Sequence, residues 1–273
     1  MTSDINGTVV GIQGNPVAQQ SLSSNEDGYV LTWDNPDGYW AARPIPSSGG
    51  LRKDYVTSSG TWVAPDGVTS VLLIAAGGGQ GGNYGGGPGS GGCGSLQVSG
   101  YVPVTPGVTY TVTIGAGGNG GTVGSPSSNY GASTTFANGG TTLFSAQGAT
   151  VAGTFAFGIM HFVGSFGGLA GSTINGGNGS ANYINTYSPG SGATGSGACG
   201  VGFAYGGGGG GAGPQGNGGN GGAATAGGNG ANGSNGAANT GAGGGGGGGV
   251  CSGSGFTPGN GGNGGSGYMY IIY

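Results

Sequence analysis

The sequence predicts an all-β protein: an antiparallel β-sandwich carrying long glycine-rich, polyglycine-II-like insertions, preceded by a small β connector segment. Three observations predict it. Glycine fills nearly every second position from about Gly167 to Gly267, and the runs Gly206–Gly211 and Gly243–Gly249 have no side chains at all. The chain then ends in Tyr268-Met-Tyr-Ile-Ile-Tyr273, an aromatic and β-branched strand signal. Upstream of the tract lie alternating β-branched runs that offer this last strand its partners.

A tract so poor in apolar surface cannot offset its ordering entropy with a hydrophobic core. Two arrangements suit it. One is a disordered linker. The other is a set of extended left-handed three-residue helices, packed side by side by hydrogen bonds between backbones. Collagen shows why glycine suits the second, because only a residue without Cβ fits where backbones touch. Collagen itself is excluded, since there is no strict Gly-X-Y period and little proline. The end of the chain decides. A C-terminal strand needs a sheet, so the tract is anchored at both ends and its segments are excursions from a β-domain.

In chain order, residues 1–48 form an attachment and oligomerisation segment. Its β runs, Thr8–Ile12, Tyr29–Trp33 and Tyr39–Ala42, alternate with turn clusters such as Asn35-Pro36-Asp37-Gly38. It is too small to bury a core alone. Tyr29, Trp33, Tyr39 and Trp40 are therefore expected to make an interface with copies of the chain or with another protein, and a homotrimer is expected. Ile45–Gly50 reads as a linker.

The sandwich spans 49–166 and is closed by strand 267–273. Val68–Ala75 is a strand, Gly77–Gly92 a first glycine excursion and Cys93–Val102 a returning strand. Val108–Ile114 places Tyr110, Val112 and Ile114 on one face and Thr109, Thr111 and Thr113 on the other. A second excursion covers Gly115–Gly131, and Thr134–Ala137 pairs with Thr142–Ala146 around Asn138-Gly139-Gly140. Residues 167–266 are the glycine-rich loop or bundle region. Val151–Ala170 has the length of a membrane span, but its recurring glycines, central His161 and alternating aromatics favour a buried strand or aromatic loop.

Charge excludes several functions. Charged residues make up 4% of the chain, against roughly 25% in ordinary globular proteins. None lies beyond Asp66. A basic groove for nucleic acid is therefore absent. The sequence also predicts no metal, no cofactor and no catalysis. Cys93, Cys199 and Cys251 show no CxxC spacing, and one disulfide with a free thiol or three free thiols both fit an odd count. The only lysine, Lys53, follows no phosphate loop. A calcium β-roll needs Asp, and a triad around His161 needs an acid that the surrounding sequence lacks. The pairs Glu26/Asp27 and Asp34/Asp37 sit in turn clusters and read as solvated surface. Met1-Thr-Ser-Asp-Ile lacks the basic start and apolar run of a secretion signal.

Three motifs point to a family. Trp62–Val71 reads Trp-x-x-Pro-x-Gly-Val-x-x-Val, and Val104–Gly118 reads Val-x-Pro-Gly-x-x-Tyr-x-Val-x-x-Gly-x-Gly-Gly. Gly267–Tyr273 is a closing aromatic strand. Together they resemble a glycine-rich domain found mostly in phage and prophage tail-fibre proteins, over about residues 60 to 273. The stretch Gly28–Asp34 with Gly38-Tyr39-Trp40 resembles a connector module near the start of phage fibre proteins. The polyglycine part looks like fibre-tip adhesins whose loops touch the host.

These resemblances imply a non-enzymatic virion protein, a tail-fibre or fibre-tip adhesin that binds a host cell-surface receptor. The alternative they leave is a head fibre or capsid decoration protein with little receptor binding. An ice-binding protein would need a flat regular repeat, and the irregular spacing argues against it. Seven aromatics stranded among glycines are the candidate receptor contacts: Tyr84, Tyr130, Tyr183, Tyr187, Phe203, Tyr205 and Phe256. Tyrosine offers a flat apolar face and a polar tip at low rotamer cost.

Overall fold

The computed structural model describes residues 51–86, 89–149, 205–224, 228–250 and 255–273, positions 178, 188, 190, 191 and 193, and the backbone of the strands named below at 2–44 and 198–203. The chain divides into two units, 1–52 and 53–273. Within the first, β1 (Thr2–Ser3), β2 (Val9–Ile12) and β3 (Asn15–Pro16) form a three-stranded antiparallel sheet. Next, β4 (Tyr29–Asp34) and β5 (Tyr39–Pro44) pair as a hairpin, with Trp33 opposite Trp40 and Asp34 opposite Tyr39. The linker Ile45–Gly50 and the run Val151–Ala170, with His161, lie outside the described residues.

The second unit begins with β6 (Lys53–Val56), β7 (Gly60–Val63), β8 (Ser70–Ala76), β9 (Gln97–Pro103) and β10 (Thr109–Thr113). It continues with β11 (Thr134–Asn138), β12 (Thr141–Ala146), the short pair β13 (Ala198–Cys199) and β14 (Gly202–Phe203), and β15 (Tyr268–Ile272). Two four-stranded antiparallel sheets result, in the orders β6-β15-β8-β9 and β12-β11-β10-β7.

Side-chain alternation makes these sheets a sandwich. On β10, Tyr110 and Val112 are buried while Thr109, Thr111 and Thr113 are exposed, as period two requires. Tyr110 stacks on Phe136 with ring centroids 4.9 Å apart, and Trp62 and Tyr273 close the aromatic cluster. Val71, Leu73 and Ala75 of β8 and Met269 and Ile271 of β15 face this cluster from the other sheet. The Tyr110 hydroxyl is satisfied by the Thr105 N–H at 2.8 Å, and the Trp62 indole donates to the Asp54 carboxylate at 2.9 Å. The β11–β12 turn uses Gly139 (φ 53°) and Gly140 (φ 86°), the left-handed pair of a two-residue hairpin.

The closing strand lies inside its sheet. β15 sits between β6 and β8, with Tyr270 opposite both Tyr55 and Ile74. Two neighbours differ from the sequence reading. β6 and β7 are strands that the sequence did not single out; β6 reads Lys-Asp-Tyr-Val, too short and polar for a periodic signal, and pairing with β15 makes it a strand. The returning strand begins at Gln97, not Cys93, because the N–H of Gly92 and of Ser95 and the carbonyl of Cys93 bond to glycine-rich segments instead.

Those segments run out from the sheets and back. Along 77–85 the donors rotate through three neighbours with period three. Gly78, Gly81 and Tyr84 donate to Ala132, Asn129 and Pro126; Gly79, Gly82 and Gly85 donate to Gly265, Gly262 and Gly259; Gln80 and Asn83 donate to Cys93 and Ser90. Three residues per turn with every bond made to another segment is the polyglycine II pattern, and at its rise of about 3.1 Å per residue this segment extends about 28 Å. Among the described residues no apolar core holds the bundle. It is held by satisfied backbone groups, each worth about 0.5–1.5 kcal/mol net, together with close backbone contact.

Glycine density follows the number of neighbours. Segment 241–249 bonds to 77–85, 205–211, 231–234, 259–265, 219–222 and Gly92, six neighbours among the described residues. A Cβ on any of Gly243 to Gly248 would overlap a backbone carbonyl of a neighbour, in strict rotation: Gly92, Gly262, Asn220, Gly89, Gly259, Ala223. At the surface, 257–265 turns Thr257, Asn260 and Asn263 outward and keeps glycine at most positions between them. Segment 229–237 exposes two columns, Asn229/Asn232/Asn235 and Ala231/Ser234/Ala237, and keeps glycine only at 230, 233 and 236.

Sheet and bundle join through buried hydroxyls. Thr134 Oγ donates to the Ala76 carbonyl at 2.8 Å and accepts from the Gly115 N–H at 3.0 Å. Ser95 Oγ donates to the Gly77 carbonyl at 2.8 Å.

Candidate functional site

The end of the bundle farthest from the sheets is built from the turns between outgoing and returning segments. The turn after 115–121 is closed by a bridge between Thr122 and Ser125, which leaves Val123 79% exposed at its tip. Segment 77–85 brings Tyr84 to the same end, fixed by its N–H to the Pro126 carbonyl at 3.0 Å. The Tyr84 ring packs against Gly86, where a Cβ would lie 2.5 Å from Cε1. Phe256, 40% exposed, precedes Thr257 and Pro258 as the last segment starts its return.

These elements enclose an open cleft of about 410 Å³. Tyr84, Val123 and Pro258 line it with apolar groups, and Asn229, Asn232, Thr257 and Asn260 with polar ones. The polar residues are clamped. Gly230 N–H donates to the Thr257 carbonyl at 2.9 Å, and Thr257 N–H donates to Asn229 Oδ1 at 2.9 Å. Asn260 N–H donates to Asn232 Oδ1 at 2.8 Å, and Asn263 N–H to Asn235 Oδ1 at 2.8 Å. The same device recurs where Asn217 and Asn220 accept from Ser188 and Ser191, both at 2.9 Å. Each asparagine side chain takes up an N–H of the segment beside it, whose carbonyl at the same residue accepts a backbone bond in return: Thr257 from Gly230, Asn260 from Gly233, Asn263 from Gly236, Ser188 from Gly218 and Ser191 from Gly221.

A family model described as a glycine-rich domain matches residues 56–273. The chain belongs to this glycine-rich domain family. Among curated proteins, none matches it. In this glycine-rich domain the match runs from Val56, the last residue of β6, through β15, so it takes in the other seven strands of the two sheets and the described glycine segments.

Of the aromatic residues singled out by sequence, Tyr84 lines the cleft and Phe256 adjoins it in the chain. Tyr130 is 55% exposed on segment 126–133, and Tyr205 is partly buried, its carbonyl accepting from Gly249 N–H. Phe203 ends β14, opposite Ala198; Tyr183 and Tyr187 lie outside the described residues. Tyr29 and Trp33 are on β4, and Tyr39 and Trp40 on β5. Sequence reading missed Val123, Pro258 and the asparagines. The signal that could have found the asparagines is their spacing of three between glycines, in 229–235 and again in 260–263. Cys93 carries a free thiol, and Cys199 and Cys251 have no described side chain. Among the described residues no helix is long and apolar enough to cross a membrane.

Proposed function

We propose that this chain is a non-enzymatic phage virion fibre protein, a tail-fibre or fibre-tip adhesin that binds a host surface receptor through the turns of its glycine bundle. The observation that carries this reading is the cleft with Tyr84 and Val123 at the far end of a charge-free bundle anchored on a sandwich. Such a bundle is a rigid stalk that holds short turns away from the sheets, and conserving their geometry lowers the ordering cost of binding. The aromatic β4–β5 hairpin attaches the protein to other virion proteins and assembles it as a homotrimer. The test is binding of fluorescently labelled full chain to a panel of bacterial strains, with phage adsorption measured in competition. Saturable binding to some strains and blocked adsorption are expected. Absence of binding to every strain that the phage infects overturns the proposal. Gold-labelled antibody on intact particles places the protein at the tail tip if the reading holds, and over the head if it is a capsid fibre.

A further inference from the structure

We infer that the distal cleft is a binding site for a neutral saccharide, an inference that rests on the receptor-binding reading above and names its ligand class. Four observations carry it. First, the volume of about 410 Å³ falls within the range of small-molecule clefts, typically ~300–1,000 Å³.

Second, the lining combines two chemistries. Tyr84, Val123 and Pro258 offer apolar contact to the C–H face of a sugar ring, and the Tyr84 ring lies against Gly86. The same lining carries three amides and a hydroxyl.

Third, the amides are oriented. Asn229 and Asn232 each accept from a backbone N–H, and only the side-chain oxygen can accept, so the Nδ2 groups are the free ends. No described residue takes up those N–H donors. Asn260 is held by its backbone, its N–H donating to Asn232 and its carbonyl accepting from the Gly233 N–H, and no described residue takes up its side-chain amide. Donors beside an amide that both donates and accepts match sugar hydroxyls, which do both.

Fourth, no charge is available. None of the lining residues is charged, and no Asp, Glu, Lys or Arg occurs after Asp66. A uronate or phosphate would be desolvated in the cleft without a counter-charge, which disfavours anionic glycans.

The test uses the folded full chain on a printed array of neutral oligosaccharides built from hexose, deoxyhexose and N-acetylhexosamine units, beside the same chains carrying uronate or phosphate. Binding to a subset of the neutral chains is expected, with at least tenfold weaker binding to their anionic versions. Val123→Lys and Asn260→Ala, both at exposed positions, should each weaken the neutral binding about fivefold or more with an unchanged melting temperature. Gly86→Ala should weaken it by displacing the Tyr84 ring. Cells bound by a protein that binds no glycan would overturn the saccharide inference and leave the adhesin reading standing, with a protein loop as the receptor. Preference for anionic chains, or neutral binding untouched by all three variants, would also overturn it. A protein that binds neither glycans nor cells fails both readings.

Discussion

The N–H of Asn260 donates to Oδ1 of Asn232 at 2.8 Å, across 28 positions of sequence. The same offset recurs between Thr257 and Asn229 and between Asn263 and Asn235. Two surface segments are thus laced by side-chain carbonyls where the interior of the bundle uses backbone carbonyls. Asn263 continues the chain of bonds, since its own Oδ1 accepts from Gly120 N–H at 2.9 Å.

Asn232→Ala should therefore speed amide exchange at Asn260 specifically. The stability loss should be about 0.5–1.5 kcal/mol, at the low end because water reaches this exposed edge. Asn232→Asp keeps an acceptor and should restore the protection. Residue-resolved hydrogen exchange on the three proteins checks both outcomes. Unchanged exchange at Asn260 in the alanine variant would remove the asparagine lacing.

Gly246→Ala places a methyl group against the Gly89 carbonyl in the six-neighbour segment. Backbone cannot rotate away as a side chain can, so the cost should exceed the roughly 1–3 kcal/mol of ordinary overpacking. Ala231→Ser, on an exposed column of 229–237, should leave stability within about 0.5 kcal/mol. Thermal unfolding of the two variants gives the comparison, and equal effects would contradict the dependence of glycine density on neighbour number.

Ile271→Ala opens a hole where both sheets meet and should cost about 2–5 kcal/mol. Tyr270→Phe removes a different link, the hydroxyl that exchanges hydrogen bonds with the Gln215 amide at 3.0 and 3.3 Å. It should cost only about 0.5–1.5 kcal/mol and loosen the turn at 213–216. Denaturant melts measure both, and exchange at the Gly213 N–H reads the turn.

Receptor binding should hardly depend on salt, because screening acts on charges and the bundle has none. A change of less than about twofold in affinity between roughly 20 and 500 mM sodium chloride is expected. Steep weakening with salt, measured by titration on cells, would move the contact to the stretch 4–66, where the charges are.

Much of this fold can be read from the chain. The alternation Thr109 to Ile114 marks a strand and its buried face, and the Gly139-Gly140 pair marks the hairpin beside it. The aromatic end after a glycine tract announces a strand that must return to a sheet, and β15 does so between β6 and β8. β6 escaped notice because four mixed residues have no period of their own. Tyr84 drew attention as an aromatic among glycines, whereas Asn229, Asn232 and Asn260 looked like ordinary polar filler. Their role appears only when segments far apart in sequence are set side by side.

By itself, then, the sequence determined the β class, the charge-free surface and the abundance of backbone without side chains. These are local and compositional properties, set by which residues lack a Cβ, a charge or a flexible side chain. Both long glycine runs are buried, and tertiary structure alone decided which segments each of them touches. Gly206–Gly211 and Gly243–Gly249 look alike in sequence, yet only bonds to distant segments give the second its six neighbours. The same holds for the cleft: Tyr84, Val123, Asn232 and Thr257 meet because hydrogen bonds between segments, which no local pattern encodes, set the lattice positions of their turns.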